Sequence, residues 1–136
     1  MGTWAHDTFD NDTACDWAFG LEDVSDLSYV MGALARVLET GADYLEADLA
    51  CEALAACEVI ARLKGNSGVR NAYTDPVDSW VNAHPLPVSS PMAAQAAAVI
   101  DRVLSPPSEL LELWKDGKDP DQWHNAVSSL RARVVG

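Results

Sequence analysis

Positive charge is scarce in this chain: nine Lys and Arg stand against 21 Asp and Glu, for a formal net charge of -12 over 136 residues. Neutralising phosphates requires clustered basic side chains, so a general nucleic-acid binder is excluded. Docking on anionic lipid headgroups is disfavoured on the same ground, and no membrane partner is expected. Long apolar runs are missing too. No stretch approaches the roughly 18 residues of a membrane span, and the acidic N-terminus lacks the basic region of a secretory signal. Cysteine occurs only at Cys15, Cys51 and Cys57. An odd number closes no disulfide framework, which points to a reducing cytoplasmic setting. There is no Cys-x-x-Cys, Gly-rich phosphate loop, Gly-x-Ser-x-Gly elbow or His-Glu-x-x-His, and His6, His84 and His124 have no zinc-type spacing. The expected cofactor complement is therefore none, and the balance leans away from an enzyme. Glycine (8) and proline (7) are few beside 49% hydrophobic residues, so a packed core is feasible and wholesale disorder is not expected.

Alanine is abundant, with 21 copies, and β-branched residues are scattered singly rather than alternating, a pattern that favours helices. Leu27, Val30, Met31, Leu34, Val37 and Leu38 mark one face of a helix over Leu27 to Thr40, with Ser25 as N-cap and Gly41 as the stop. A second helix is expected from Ala47 to Lys64, ending at Gly65. Leu49, Ala53, Ala56, Cys57, Ile60 and Leu63 form one face, yet Leu54, Ala55 and Ala61 leave the other side nearly as apolar, the pattern of a central helix. Ser90-Pro91 opens a third long helix with Met92, Ala96, Val99, Ile100 and Val103 inward, ended by Pro106-Pro107. Ser108 caps a short helix through Trp114. The last helix starts at Asp119-Pro120-Asp121-Gln122, which resembles a capping box, and carries Trp123, Ala126, Val127, Leu130 and Val134 on one stripe. Residues 65–90 read as a long Gly/Pro-containing connection with one short helix from Asp75-Pro76 through Val81. The N-terminal segment is irregular until Asp10 or Asp12 caps a short helix through Phe19. The expected architecture is all-α: a single-domain bundle of five to seven unequal helices over residues 1–136.

The densest chemistry lies at the front, where Asp7, Asp10, Asp12 and Asp16 accompany His6. Hard divalent cations favour several carboxylates, so these four are weak metal candidates. The match to an EF-hand is poor, because Ala14 and Cys15 replace the third acid and the glycine and no Glu closes the loop. Helix capping and packing is the commoner role for acids at a helix start. A third reading is a partner-facing acidic patch, since the first 35 residues hold seven acids and no Lys or Arg. On the central helix Glu58 is a candidate buried acid of the kind catalysis uses. It also stands four residues before Arg62, the favourable order for an intrahelical ion pair, which is the preferred reading. Asp121 and His124 are one turn apart, without the Glu-x-x-His pairs of a dimetal bundle. The three cysteines read as small buried apolar residues. Trp17, Trp114 and Trp123 fall in helical patterns and are expected in the core. Trp4 and Trp80 lie in less regular segments, as clamps on the bundle or, less commonly, as partner anchors.

Gly2-Thr3-Trp4, Phe9-Asp10-Asn11-Asp12, Ala14 and Asp16-Trp17 resemble the opening of a bacterial family called domain of unknown function 4259. Tyr44-Leu45-Glu46-Ala47, Glu52 through Ala61, and Ser108 through Trp114 with Trp123 are similar to its middle and C-terminal segments. The resemblance marks Trp4, Phe9, Asp10, Asn11, Asp12, Asp16 and Trp17 as family features forming a structural clasp. Ala5-His6-Asp7 departs from the small residues usual there. No activity comes with the resemblance.

Two functional classes follow. The favoured one is a small acidic cytoplasmic protein acting as a non-catalytic interaction module, immunity- or inhibitor-like, with another protein, of basic character, as its partner. The alternative is a metal-assisted enzyme or small-ligand-binding protein that uses the N-terminal Asp cluster. Homo-oligomerisation is left open.

Overall fold

The computed structural model describes residues 7–117 and 120–136. Seven α-helices follow one another among them: α1 (Asp12–Phe19), α2 (Ser28–Thr40), α3 (Ala47–Leu63), α4 (Asp75–Ala83), α5 (Ser90–Val103), α6 (Glu109–Lys115) and α7 (Pro120–Val135). A single 3₁₀ turn, Gly20–Asp23, extends α1. No strand forms among the described residues; one isolated parallel bridge joins Leu45 to Ser108. The fold is all-α.

Helix α3 is the axis of the bundle. Thirteen of its 17 residues are buried, including every one from Ala53 to Arg62. Each of the other six helices packs against it. Alanine makes this geometry available, because a methyl group lets a neighbouring backbone approach where a longer side chain would hold it off. The larger side chains that complete the core come from the surrounding helices: Val30, Leu34 and Val37 of α2, Val99, Ile100 and Val103 of α5, and Trp123, Leu130 and Val134 of α7.

The helix ends show where local signals sufficed. Gly41, at φ +58°, stops α2, and Gly65, at φ +85°, follows the end of α3, conformations that favour glycine. Ser108 caps α6 by accepting the Leu111 N–H, as expected, whereas α5 is capped by Ser89, which accepts the Met92 N–H one position before the expected Ser90-Pro91 opening. Two further expected caps are corrected. The cap of α1 is Asn11, whose Oδ1 accepts the Ala14 N–H at 2.8 Å, rather than Asp10 or Asp12. At α2, Asp26 rather than Ser25 holds the entry, its Oδ1 accepting from the Ser28 N–H at 3.0 Å and the Ser28 hydroxyl at 2.6 Å. An Asx side chain reaches the amide two residues ahead without needing the cap position itself. The expected cap of α7, Asp119, lies outside the described residues. Helix α3 has no local side-chain cap; instead Glu109, 62 positions further on, accepts the Ala47 N–H at 2.7 Å.

Long-range polar ties fasten the loops. Arg102 donates to four main-chain oxygens: Gly41 (2.8 Å), Asp43 (2.7 Å), Ser105 (2.8 Å) and Pro107 (3.0 Å). One guanidinium thus joins the α2–α3 loop to the α5–α6 loop. Trp80 falls in α4, the short helix expected within the 65–90 connection, and is buried as a clamp, with its indole N–H donating to Val24 O at 3.0 Å. Trp17 and Trp123 are buried, whereas Trp114 is half-buried and stacks on Trp123 at 5.9 Å. The close packing of α3 makes enlargement costly. Ala56→Leu should lower stability by about 1–3 kcal/mol, measured as a reduced urea midpoint at unchanged slope.

Candidate functional site

A buried cluster of opposite charges gathers where α3, α4 and α7 meet the segment before α1. Glu58, on α3, is buried, and Arg62 follows it by one turn, where its Nη1 donates to Glu58 Oε1. Near the end of α7, Arg133 forms a two-pronged contact, Nη1 to Oε1 at 2.8 Å and Nη2 to Oε2 at 3.1 Å. The Thr8 hydroxyl adds a bond to Oε2 at 2.8 Å. Arg62 then turns its remaining donors elsewhere, Nε to Asp78 Oδ1 at 2.7 Å and Nη2 to Val69 O at 2.6 Å. The Thr74 hydroxyl lies 2.7 Å from Asp78 Oδ2. Two acids and two arginines therefore cancel formally.

Local sequence explains the placing. The i,i+4 spacing of Glu58 and Arg62 puts them on one helix face. Gly68 gives the Arg133 guanidinium its room, since a Cβ there would lie 2.7 Å from Cζ. A cavity of about 90 Å³ opens beside the cluster, lined among others by Asp7, Thr8, Asn71 and Ser129.

Burial alone would raise the Glu58 carboxyl. The Arg133 hydrogen bonds and charge, the Arg62 charge and the Thr8 hydroxyl outweigh it, and the group is held below the ordinary glutamate value. Both oxygens are engaged by donors, so Glu58 is a fixed anion rather than a proton carrier. The thiols are equally unsuited to nucleophilic work. Burial, helped by Asp48, Glu52 and Glu109, pushes Cys51 up to about 12, and burial raises Cys57 further. Cys15 is raised by burial and by Asp12, Asp16 and Asp10.

The N-terminal residues separate into inward and outward sets. Phe9 and Trp17 are buried; Trp17 stacks on Tyr29 at 4.9 Å, and the Tyr29 hydroxyl donates to Trp17 O at 2.7 Å. Asn11 is buried, its Nδ2 donating to Thr8 O at 3.1 Å. Asp10 Oδ2 accepts the Asp7 N–H at 3.1 Å. Asp12 and Asp16 are exposed on α1. Among the described residues no three of His, Cys, Asp and Glu are placed to hold a metal ion. Trp4 and His6 lie outside the described residues. Sequence reasoning paired Glu58 with Arg62 but missed Arg133, Asp78 and Thr8, which stand far off in the chain and carry no local signature.

The model of the family described as domain of unknown function (DUF4259) matches residues 2–126. The chain belongs to that family. Glu58, Arg62 and Asp78 fall inside the matched stretch and Arg133 beyond it. No curated protein and no solved structure matches the chain.

Breaking this cluster leaves a buried ion unmatched, so Arg62→Ala should cost about 3–5 kcal/mol in chemical denaturation. The pH dependence has a definite sign. A carboxyl depressed in the folded state contributes stability above its unfolded value, near 4.5, and that contribution is lost as pH falls towards the folded value. The stability lead of the natural protein over Glu58→Gln should thus be constant near neutrality and shrink below about pH 4.5. Urea midpoints of the two proteins across that range check it, and a gap that stays constant would refute the assignment.

Proposed function

We propose that this protein is a non-catalytic interaction module whose acidic exterior engages a basic protein, as immunity proteins and inhibitors do. The supporting observation is the placement of its few cations. Arg62 serves buried Glu58 and half-buried Asp78, Arg133 serves Glu58, Arg102 serves four main-chain oxygens, and Lys64 Nζ donates to Val134 O at 2.7 Å. Arg131 grips Asp101 at 2.8 Å and Arg36 lies 3.6 Å from Glu52. These cations are tied to the chain's own oxygens. Asp12, Asp16, Glu22, Asp23 and Asp26 meanwhile stand exposed within one run of 15 residues.

A field of one sign draws an oppositely charged protein into productive encounters and turns like-charged ones away. The setting we infer is cytoplasmic, supported by three free cysteines, two of them buried. Among the described residues no helix is long and apolar enough to cross a membrane.

Electrostatic capture has a kinetic signature. The association rate with a basic protein partner should fall at least about tenfold as salt rises from about 0.01 M to 1 M, because the screening length shrinks from about 30 Å to 3 Å. Stopped-flow measurement reads this directly, and an association rate indifferent to salt would sink the proposal.

A further inference from the structure

We infer that the groove between the end of α1 and helix α4 is the point at which the partner inserts an arginine side chain. The inference rests on the interaction reading above and adds the place and the chemistry of contact. The groove is an open concavity of about 610 Å³, lined by Phe19, Glu22, Asp75, Ser79, Trp80 and His84, together with Ala72 and Pro76. A volume of that size accommodates a long side chain with part of its flanking backbone.

Three properties select the occupant. The first is an aromatic wall out of place on a solvated surface. Phe19 is 56% exposed although its neighbours Trp17 and Ala18 are buried. Trp80 backs the groove from the core: it is buried, bonded to Val24 O and stacked on the His84 ring at 4.6 Å, which leaves the Phe19 ring as the exposed aromatic face. The second is charge: Glu22 and Asp75 are both exposed, on different elements, and the lining contains no Lys or Arg. The third is the pairing of these two features in one concavity. A guanidinium is planar, stacks on an aromatic face and offers a fork of N–H donors to carboxylates, whereas an ammonium brings only a compact point charge. Arginine is also among the residues that dominate interface energies when seated in a preformed pocket. A purely apolar side chain would leave the two carboxylates without a counter-charge, and an acidic one would be repelled by them.

The test uses the full chain, isotopically labelled, and two short capped peptides carrying either one arginine or one citrulline between two leucines. Citrulline keeps the shape and removes the charge. The arginine peptide should shift the amide signals of Phe19, Glu22, Asp75 and His84 and the Trp80 indole signal, and the citrulline peptide should not. Glu22→Gln combined with Asp75→Asn, and separately Phe19→Ala, should each weaken the arginine peptide roughly fivefold or more. All three positions are at the surface, so melting temperatures report whether the fold is kept. Shifts that map to other acids such as Asp12, Asp16 or Asp26 would refute the groove while leaving a basic partner in place. Absence of any shift, or equal response to citrulline, would also overturn the groove. Failure of the interaction reading itself is recognised separately, by an association rate with the whole partner that ignores salt.

Discussion

A carboxylate placed inside a helix that is otherwise mostly alanine and small aliphatic residues constrains everything around it. An unmatched ion in that position would cost several kcal/mol, a large share of the stability of a chain this size. Matching Glu58 therefore requires parts of the chain that are remote from one another to arrive together: Thr8 from 50 positions before it, Arg62 one turn on, and Arg133 from 75 positions after it. Arg62 passes the constraint on to Asp78 and so to α4. The cluster acts as a register mark for four segments rather than as a large net source of stability, since a well-packed apolar substitute could hold the same volume at no desolvation cost.

The same constraint shapes the exterior. Each arginine drawn inward to balance an acid or to bind loop carbonyls is one less on the surface, and the chain has only nine Lys and Arg to place. Interior neutrality and exterior negativity are thus two sides of one distribution. The interior part holds the bundle in register. The exterior part leaves Asp12, Asp16, Glu22, Asp23 and Asp26 facing solvent, unbalanced by the cations held within.

Much of the helical scaffold was legible in the sequence because its signals are local. The 3.6-residue spacing of Val30, Leu34 and Val37, the positive-φ glycines Gly41 and Gly65, and the serine cap Ser108 all act within one or two turns. The all-sided greasiness of α3 likewise announced its central position. What escaped reading depends on partners far apart in the chain. Glu109 capping α3, Arg102 joining two loops, and Arg133 reaching Glu58 each need the tertiary fold before the pair exists. The short-range misses have another cause. Asn11 and Asp26 both sit among competing Asp and Ser residues, any of which could cap, and only backbone geometry selects one. Glu58 was visible as half of an ion pair, whereas its second arginine was not.

The alanines of α3 have an evolutionary corollary. A leucine core can drift through isoleucine, valine or methionine and repack as it goes, because neighbouring volumes trade against each other. A wall of buried methyl groups has almost no such neighbours in sequence space. Anything larger pushes adjacent helices apart, and glycine, the one smaller choice, weakens the helix itself by about 1 kcal/mol. Positions such as Ala53, Ala55, Ala56 and Ala61, all fully enclosed, thereby tolerate enlargement least, while exposed charged positions can be exchanged at little cost to stability. Substitution is therefore far costlier along this axis than among the exposed charges around it.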